Sequence, residues 1–124
     1  MEIYPFLKSL VDQDTSAVVI CDTKHKIVYM NPAACERYAK YGGSGLLGKD
    51  LLHCHSPKSA ELIRKVLGWF ERSPNNNRIH TFYNEKENKD VYMIALRDSE
   101  NALIGYYEKH EYRDRDPAPL YAFL

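Results

Sequence analysis

Two histidines flank a cysteine at His53–His55, and these are the residues whose types and spacing best suit chemistry. In an extended segment, residues two apart point the same way, so His53 and His55 can reach one metal ion or one haem iron. Cys54 offers a thiolate from the other side. The sequence holds no Cys-x-x-Cys pair, so the string falls short of a zinc signature. In the structural alternative, His55 orients the start of the following helix and His53 is half exposed.

A glycine-rich segment, Gly43–Lys49, has the Gly-x-x-x-x-Gly-Lys spacing of a phosphate-binding loop. The next residue is Asp50, where magnesium coordination requires Ser or Thr, and its carboxylate would repel phosphate. The segment also follows a predicted helix instead of a buried strand. We therefore interpret it as a connector without a nucleotide site.

The three cysteines are the candidate nucleophiles. Cys21 and Cys35 fall in an apolar strand and a helix, where burial keeps a thiol protonated and inert. Cys54 remains, but the sequence places no Asn or Asp to orient a neighbouring imidazole as a base. We therefore expect no enzyme activity.

Length and charge bound the remaining functions. The 124 residues suit one domain, and the 17 basic and 17 acidic residues give no basic surface for nucleic acid. The longest wholly apolar run, Ala17–Cys21, is far too short to span a membrane. Glu2 and Pro5 do not fit a signal peptide, and three cysteines make no disulfide framework. The sequence predicts a cytoplasmic single-domain protein that binds neither nucleic acid nor membrane.

Three helices are predicted. Residues 2–12 carry an apolar stripe at helical spacing. Asn31 and Ser56, each followed by proline, have the composition of helix N-caps, and their helices should reach about Tyr41 and Ser73.

Short apolar runs between polar turns predict five strands, which are Ala17–Cys21, Ile27–Met30, Ile79–Tyr83, Val91–Arg97 and Leu103–Glu111. Hairpins at both ends with helices between them favour an α+β domain with one antiparallel sheet. We divide the chain into an amphipathic helix (1–14), a core domain (15–112) and a C-terminal linker with an apolar tail (113–124).

The order and spacing of these elements resemble the PAS domain family. Val18–Asp22 with Lys26–Ala34 is similar to the first PAS hairpin and its Asn-started helix. Leu47–Leu51 is similar to the turn before the long helix, and Leu96–Tyr106 to the last hairpin. Leu52–Ser59 resembles a bacterial subgroup with a Cys-His-Pro string before that helix. The chain departs from the family in lacking the Asp-Ile-Thr string that often ends a PAS core.

The resemblance implies a bacterial sensor with helices packed on one face of the sheet and a ligand pocket between the two layers. By the family register, the ligand-binding residues would be Val19, Cys21, Met30, Ala34, Tyr38, Ile63, Leu67, Met93 and Tyr107. Haem-binding PAS domains place their iron ligand near the long helix, which favours His53 and His55 as haem ligands. The sequence lacks the Cys-bearing helix motif of flavin-photosensing relatives, which argues against flavin.

In PAS proteins an N-terminal helix commonly builds the homodimer. The resemblance therefore implies a homodimer with interface residues Ile3, Phe6, Leu7 and Leu10. No output domain follows, so a signal would pass to a partner in trans or through dimer geometry. Three functions stay open: a sensor for a small apolar or aromatic ligand, a haem- or metal-binding redox or gas sensor, and a ligand-free dimerisation module.

Overall fold

One antiparallel sheet of five strands, in the order β2-β1-β5-β4-β3, forms the centre of the computed structural model, which describes residues 1–124. The strands are β1 (Val19–Asp22), β2 (Ile27–Met30), β3 (Arg78–Asn84), β4 (Lys89–Arg97) and β5 (Leu103–Tyr112). The α-helices are α1 (Tyr4–Asp12), α2 (Pro32–Arg37) and α3 (Pro57–Arg72). The predicted α+β class, the five strands and the N-terminal helix are confirmed.

The sheet consists of two halves that meet where β1 pairs with β5. The N-terminal hairpin β1–β2 forms one half, and the meander β3–β4–β5 forms the other. At the junction Cys21 pairs with Tyr106, and Asp22 pairs with Gly105. Gly105 lies so close to β1 that a Cβ atom there would overlap the carbonyl oxygen of Cys21. A side chain at this position would therefore push the two halves apart.

Asn31 caps α2, as predicted, and also ties α2 to the segment that precedes β1. Its side chain is fully buried. The Oδ1 atom accepts from the N–H groups of Val18 and Ala34, both at 2.9 Å. The Nδ2 atom donates to the carbonyls of Val11 and Ser16, both at 3.0 Å. One side chain thus joins the end of α1, the entry to β1 and the start of α2.

Helix α3 supplies much of the helical layer. Ser56 caps it through Ser59 N–H at 3.2 Å, and its side chains Leu67 and Phe70 are buried. The core cluster contains Ala17, Cys21, Ile27, Met30, Ala34, Leu67, Phe70, Met93 and Tyr106. This cluster fills only part of the space between sheet and helices.

Two predicted segments differ from the structure. The second helix ends at Arg37, and a 3-10 turn at Ala39–Tyr41 replaces its predicted last turn. Leu51–Cys54 is a 3-10 helix, so the extended geometry assumed for His53 and His55 is wrong. The Asp50 carboxylate caps this short helix by accepting from Leu52 N–H at 2.8 Å.

The apolar stripe of α1 lies on the surface. No residue of the helix is buried, and the stripe residues Ile3, Phe6, Leu7 and Leu10 are all exposed. The helix therefore does not use its apolar face to cover its own sheet. None of the helices combines the length and the apolar character that a membrane crossing requires.

Candidate functional site

A cavity of about 480 Å³ lies between the sheet and the helical layer. This volume is within the range of small-molecule sites, about 300–1,000 Å³. Twelve of its 15 lining residues are hydrophobic. The buried members Ile27, Met30, Met93 and Tyr106 form the deep wall, whereas Tyr41 is exposed at the rim. The site can therefore enclose an apolar body.

The structure brings five of the nine predicted ligand residues to this cavity, namely Val19, Met30, Tyr38, Ile63 and Met93. Cys21, Ala34 and Leu67 are buried in the core cluster and do not line it. The structure differs from the prediction for Tyr107 by one residue. Tyr106 faces the cavity, and Tyr107 lines a smaller depression of about 270 Å³ beside α1. Burial raises the pKa of the Cys21 thiol to about 11, which keeps it protonated and unreactive.

The two predicted metal ligands do not meet at one site. His55 and Cys54 line the cavity. His53 does not, and its side chain is 85% exposed with Nε2 3.8 Å from the Asp50 carboxylate. No group of three or more His, Cys, Asp or Glu side chains is arranged to hold a metal ion. Of the two predicted metal ligands, His55 alone lines the cavity.

Two polar residues on β5, Glu108 and His110, belong to the cavity wall and were missed by sequence reasoning. They alternate with Tyr106 along the strand, so all three share one face of the sheet. The His110 imidazole is 7% exposed, and its Nε2 lies 3.4 Å from Oε1 of Glu108. The period-two spacing from Tyr106 is the signal that would have found them, once the register of β5 was known.

The comparisons with known proteins agree on the fold. No protein-family model matches the sequence, and no curated protein matches it. The PAS domain of a Colwellia psychrerythraea protein aligns with a TM-score of 0.66 at 15% identity, covering 90% of this chain and 98% of that one. The chain has the PAS fold.

Two further solved structures share it. The PAS domain of the fruit-fly ELK potassium channel aligns with a TM-score of 0.59 at 13% identity, covering 90% of this chain and 98% of the other. The Aer2 receptor of Vibrio cholerae, described as a dual PAS-heme oxygen sensor, aligns with a TM-score of 0.57 at 17% identity. That alignment covers 76% of this chain and 90% of the receptor structure.

Paired charges join α2 to the turn between β3 and β4. Arg37, at the end of α2, donates two hydrogen bonds to Glu87 at 3.1 and 3.2 Å. Lys89, which is only 2% exposed, lies 3.2 Å from the same carboxylate. Hydrogen bonds from Arg37 and Lys89 lower the pKa of Glu87 to about 2. These pairs tie α2 to the β3–β4 turn.

Desolvation raises the pKa of Glu108, with His55 and Lys89 opposing it. About half of the Glu108 side-chain area, 48%, is accessible. Tyr106 is better satisfied, since its hydroxyl lies 2.8 Å from His25 Nδ1 in the β1–β2 turn. The one buried side-chain polar atom without a hydrogen-bond partner is Nδ1 of His110, farther along β5.

The lowered pKa of the His110 imidazole predicts a loss of stability in acid. Burial, with Lys89 and Arg37 nearby, lowers its pKa to about 4 from the ordinary 6.5. Between those values the unfolded chain binds a proton that the folded chain does not, so stability falls as pH falls. We expect the wild type to lose roughly 3 kcal/mol more than His110→Phe between pH 6.5 and 4. Urea unfolding at several pH values measures the free energy of unfolding of both proteins. The same pH dependence in the two proteins would contradict the expectation. Glu108 acts in the opposite direction in both proteins, because its pKa is raised.

Proposed function

We propose that this PAS-fold chain is a sensory domain without enzyme activity that binds a small apolar or aromatic molecule between sheet and helices. The observation that carries the proposal is the cavity of about 480 Å³ with its mainly hydrophobic lining. Burial of apolar area there would supply about 25 cal/mol per Å² before the costs of binding are subtracted. An apolar or aromatic ligand binds without a charged partner group on the protein.

The signal would leave the cavity through the segment before β1. Ala17 and Val19 line the cavity, and Val18 between them is held by Asn31. The same Asn31 side chain holds the carbonyl of Val11 in α1. A ligand that favours one position of residues 17–19 would therefore also favour one position of α1. Such a shift is limited by the difference in ligand affinity between the two arrangements.

Haem in the same cavity is the second candidate, and the observation that favours it is His55 on the cavity wall. A single imidazole suffices as an axial ligand of haem iron. His53 would take no part, because its side chain points into solvent. The haem would supply the gas or redox chemistry, and the protein would supply His55 and the apolar wall.

Native mass spectrometry of the purified chain, followed by denaturation of the same sample, separates these functions. We expect a dimer that carries extra mass, which is released on denaturing. Extra mass equal to haem, with a visible absorption band, would instead favour the haem sensor. A dimer of bare polypeptide that also fails to take up added apolar compounds would favour a ligand-free interaction module.

The dimer is proposed to form through the exposed stripe of α1. Leu7→Glu should give a folded monomer, because it places a charge in an apolar interface. Leu62→Glu on α3 is the matched control, since Leu62 and Leu7 are both 54% exposed. Native mass spectrometry should show Leu62→Glu as a dimer. A dimeric Leu7→Glu protein would exclude this interface.

A further inference from the structure

The strongest unexplained feature of the cavity wall is the imidazole of His110. Its Nδ1 is buried and has no hydrogen-bond partner. Its Nε2 is 3.4 Å from Glu108 Oε1, beyond the usual 2.7–3.2 Å of an N–H···O bond. Buried polar groups in proteins are nearly always paired, because an unpaired one loses its hydration without compensation. His110 therefore has unused hydrogen-bonding capacity at a ligand cavity.

The chemistry of His110 and Glu108 limits which ligand group could hydrogen-bond to both. Neutral imidazole offers one N–H donor and one acceptor nitrogen, and the carboxylate of Glu108 offers acceptors. A hydroxyl oxygen both donates and accepts, so one hydroxyl can accept from His110 and donate to Glu108. A carbonyl group has no donor for the carboxylate, and an ammonium group has no acceptor for the imidazole N–H. The contact requires the His110 ring to turn about its Cβ–Cγ bond, so that a nitrogen that is buried in this structure faces the cavity.

Charge around the pair also favours a neutral ligand. Arg37 and Lys89 both lie within ion-pair distance of Glu87, which lies outside the cavity lining. No Lys or Arg lines the cavity, so a buried anion would have no permanent cation to pair with and would carry a large desolvation cost. The remaining wall, including Met30 and Met93, is apolar.

We propose that the ligand is a neutral apolar or aromatic molecule bearing one hydroxyl group, which hydrogen-bonds to His110 beside Glu108. This inference rests on the proposed function and names the ligand class for the same cavity. The hydroxyl fixes the orientation of the ligand, and the apolar body contacts the methionine side of the wall.

A pair of probe compounds tests this inference directly. 4-Ethylphenol and 4-ethyltoluene have nearly the same shape, and a methyl group replaces the hydroxyl in the second. The Kd of each is measured by NMR titration with the wild type and with His110→Phe. The preference for the phenol over the toluene should fall about tenfold in His110→Phe. His80→Phe, the same substitution on β3 outside the cavity, should leave the preference unchanged.

The outcomes separate this inference from the proposed function. If both compounds bind and the preference is the same in all three proteins, the cavity is a ligand site but the hydroxyl assignment is wrong. If neither compound binds up to its solubility limit, both proposals fail. Should His110→Phe not fold, the wild type labelled with ¹⁵N-histidine decides. The His110 ring nitrogens should shift with 4-ethylphenol and stay in place with 4-ethyltoluene, and equal shifts would overturn the inference.

Discussion

Asn31→Ala is expected to lower the free energy of unfolding by roughly 4 kcal/mol, a large fraction of the stability of a small domain. The substitution removes the cap of α2, and it leaves the Val18 N–H and the Ser16 carbonyl without their side-chain partner. The Val11 carbonyl loses one of its two hydrogen bonds and keeps the one from the Asp14 N–H. Urea unfolding followed by the fluorescence of Trp69, the single tryptophan, measures the loss.

Ser56→Ala is the matched control for Asn31→Ala. Ser56 also caps a helix by accepting one backbone N–H, but its side chain is exposed and makes no bond across the fold. Its removal should cost about 1 kcal/mol. Equal losses for the two variants would show that Asn31 acts as a cap alone, contrary to its role in joining three elements.

Gly105→Ala is expected to destabilise the domain by about 3 kcal/mol or more and to weaken binding in the cavity. The added Cβ would overlap the Cys21 carbonyl oxygen and lie only 3.2 Å from its carbonyl carbon. Because both atoms are backbone, the β1–β5 junction must open to make room. The two halves of the sheet each supply cavity wall, with Met30 on one and Met93 on the other.

Gly68→Ala provides the comparison. Gly68 lies within α3, and a Cβ there would meet no atom within 4 Å. Alanine is the better helix former, so this variant should gain up to about 1 kcal/mol. A Gly105→Ala protein as stable as the wild type would contradict the close strand approach.

Local chemistry in the sequence was sufficient to predict much of the fold. The caps at Asn31 and Ser56 each use a short side chain before a proline, and both start helices in the structure. These signals depend only on neighbouring residues. The wider network of Asn31 was not predictable, because Val11 and Ser16 come near it only after the chain folds.

The cavity wall was predicted less completely, for physical reasons. Tyr106 and Tyr107 are adjacent and identical, so alternation along β5 does not say which one faces inward, and a one-residue slip exchanges the faces. The choice of Tyr107 as the inward residue places Glu108 and His110 on the opposite face by alternation. His53 was given an extended geometry, whereas the Asp50 cap starts a 3-10 helix there.

The central claim is that a small molecule binds between the sheet and the helices, and the three methionines test it most directly. Met30 and Met93 line the cavity, whereas Met1 is fully exposed and serves as an internal control. With ¹³C-methyl methionine, titration with 4-ethylphenol should shift the Met30 and Met93 signals saturably and leave Met1 unchanged. Cavity methyl signals that stay in place, or that move no more than Met1, would contradict the account.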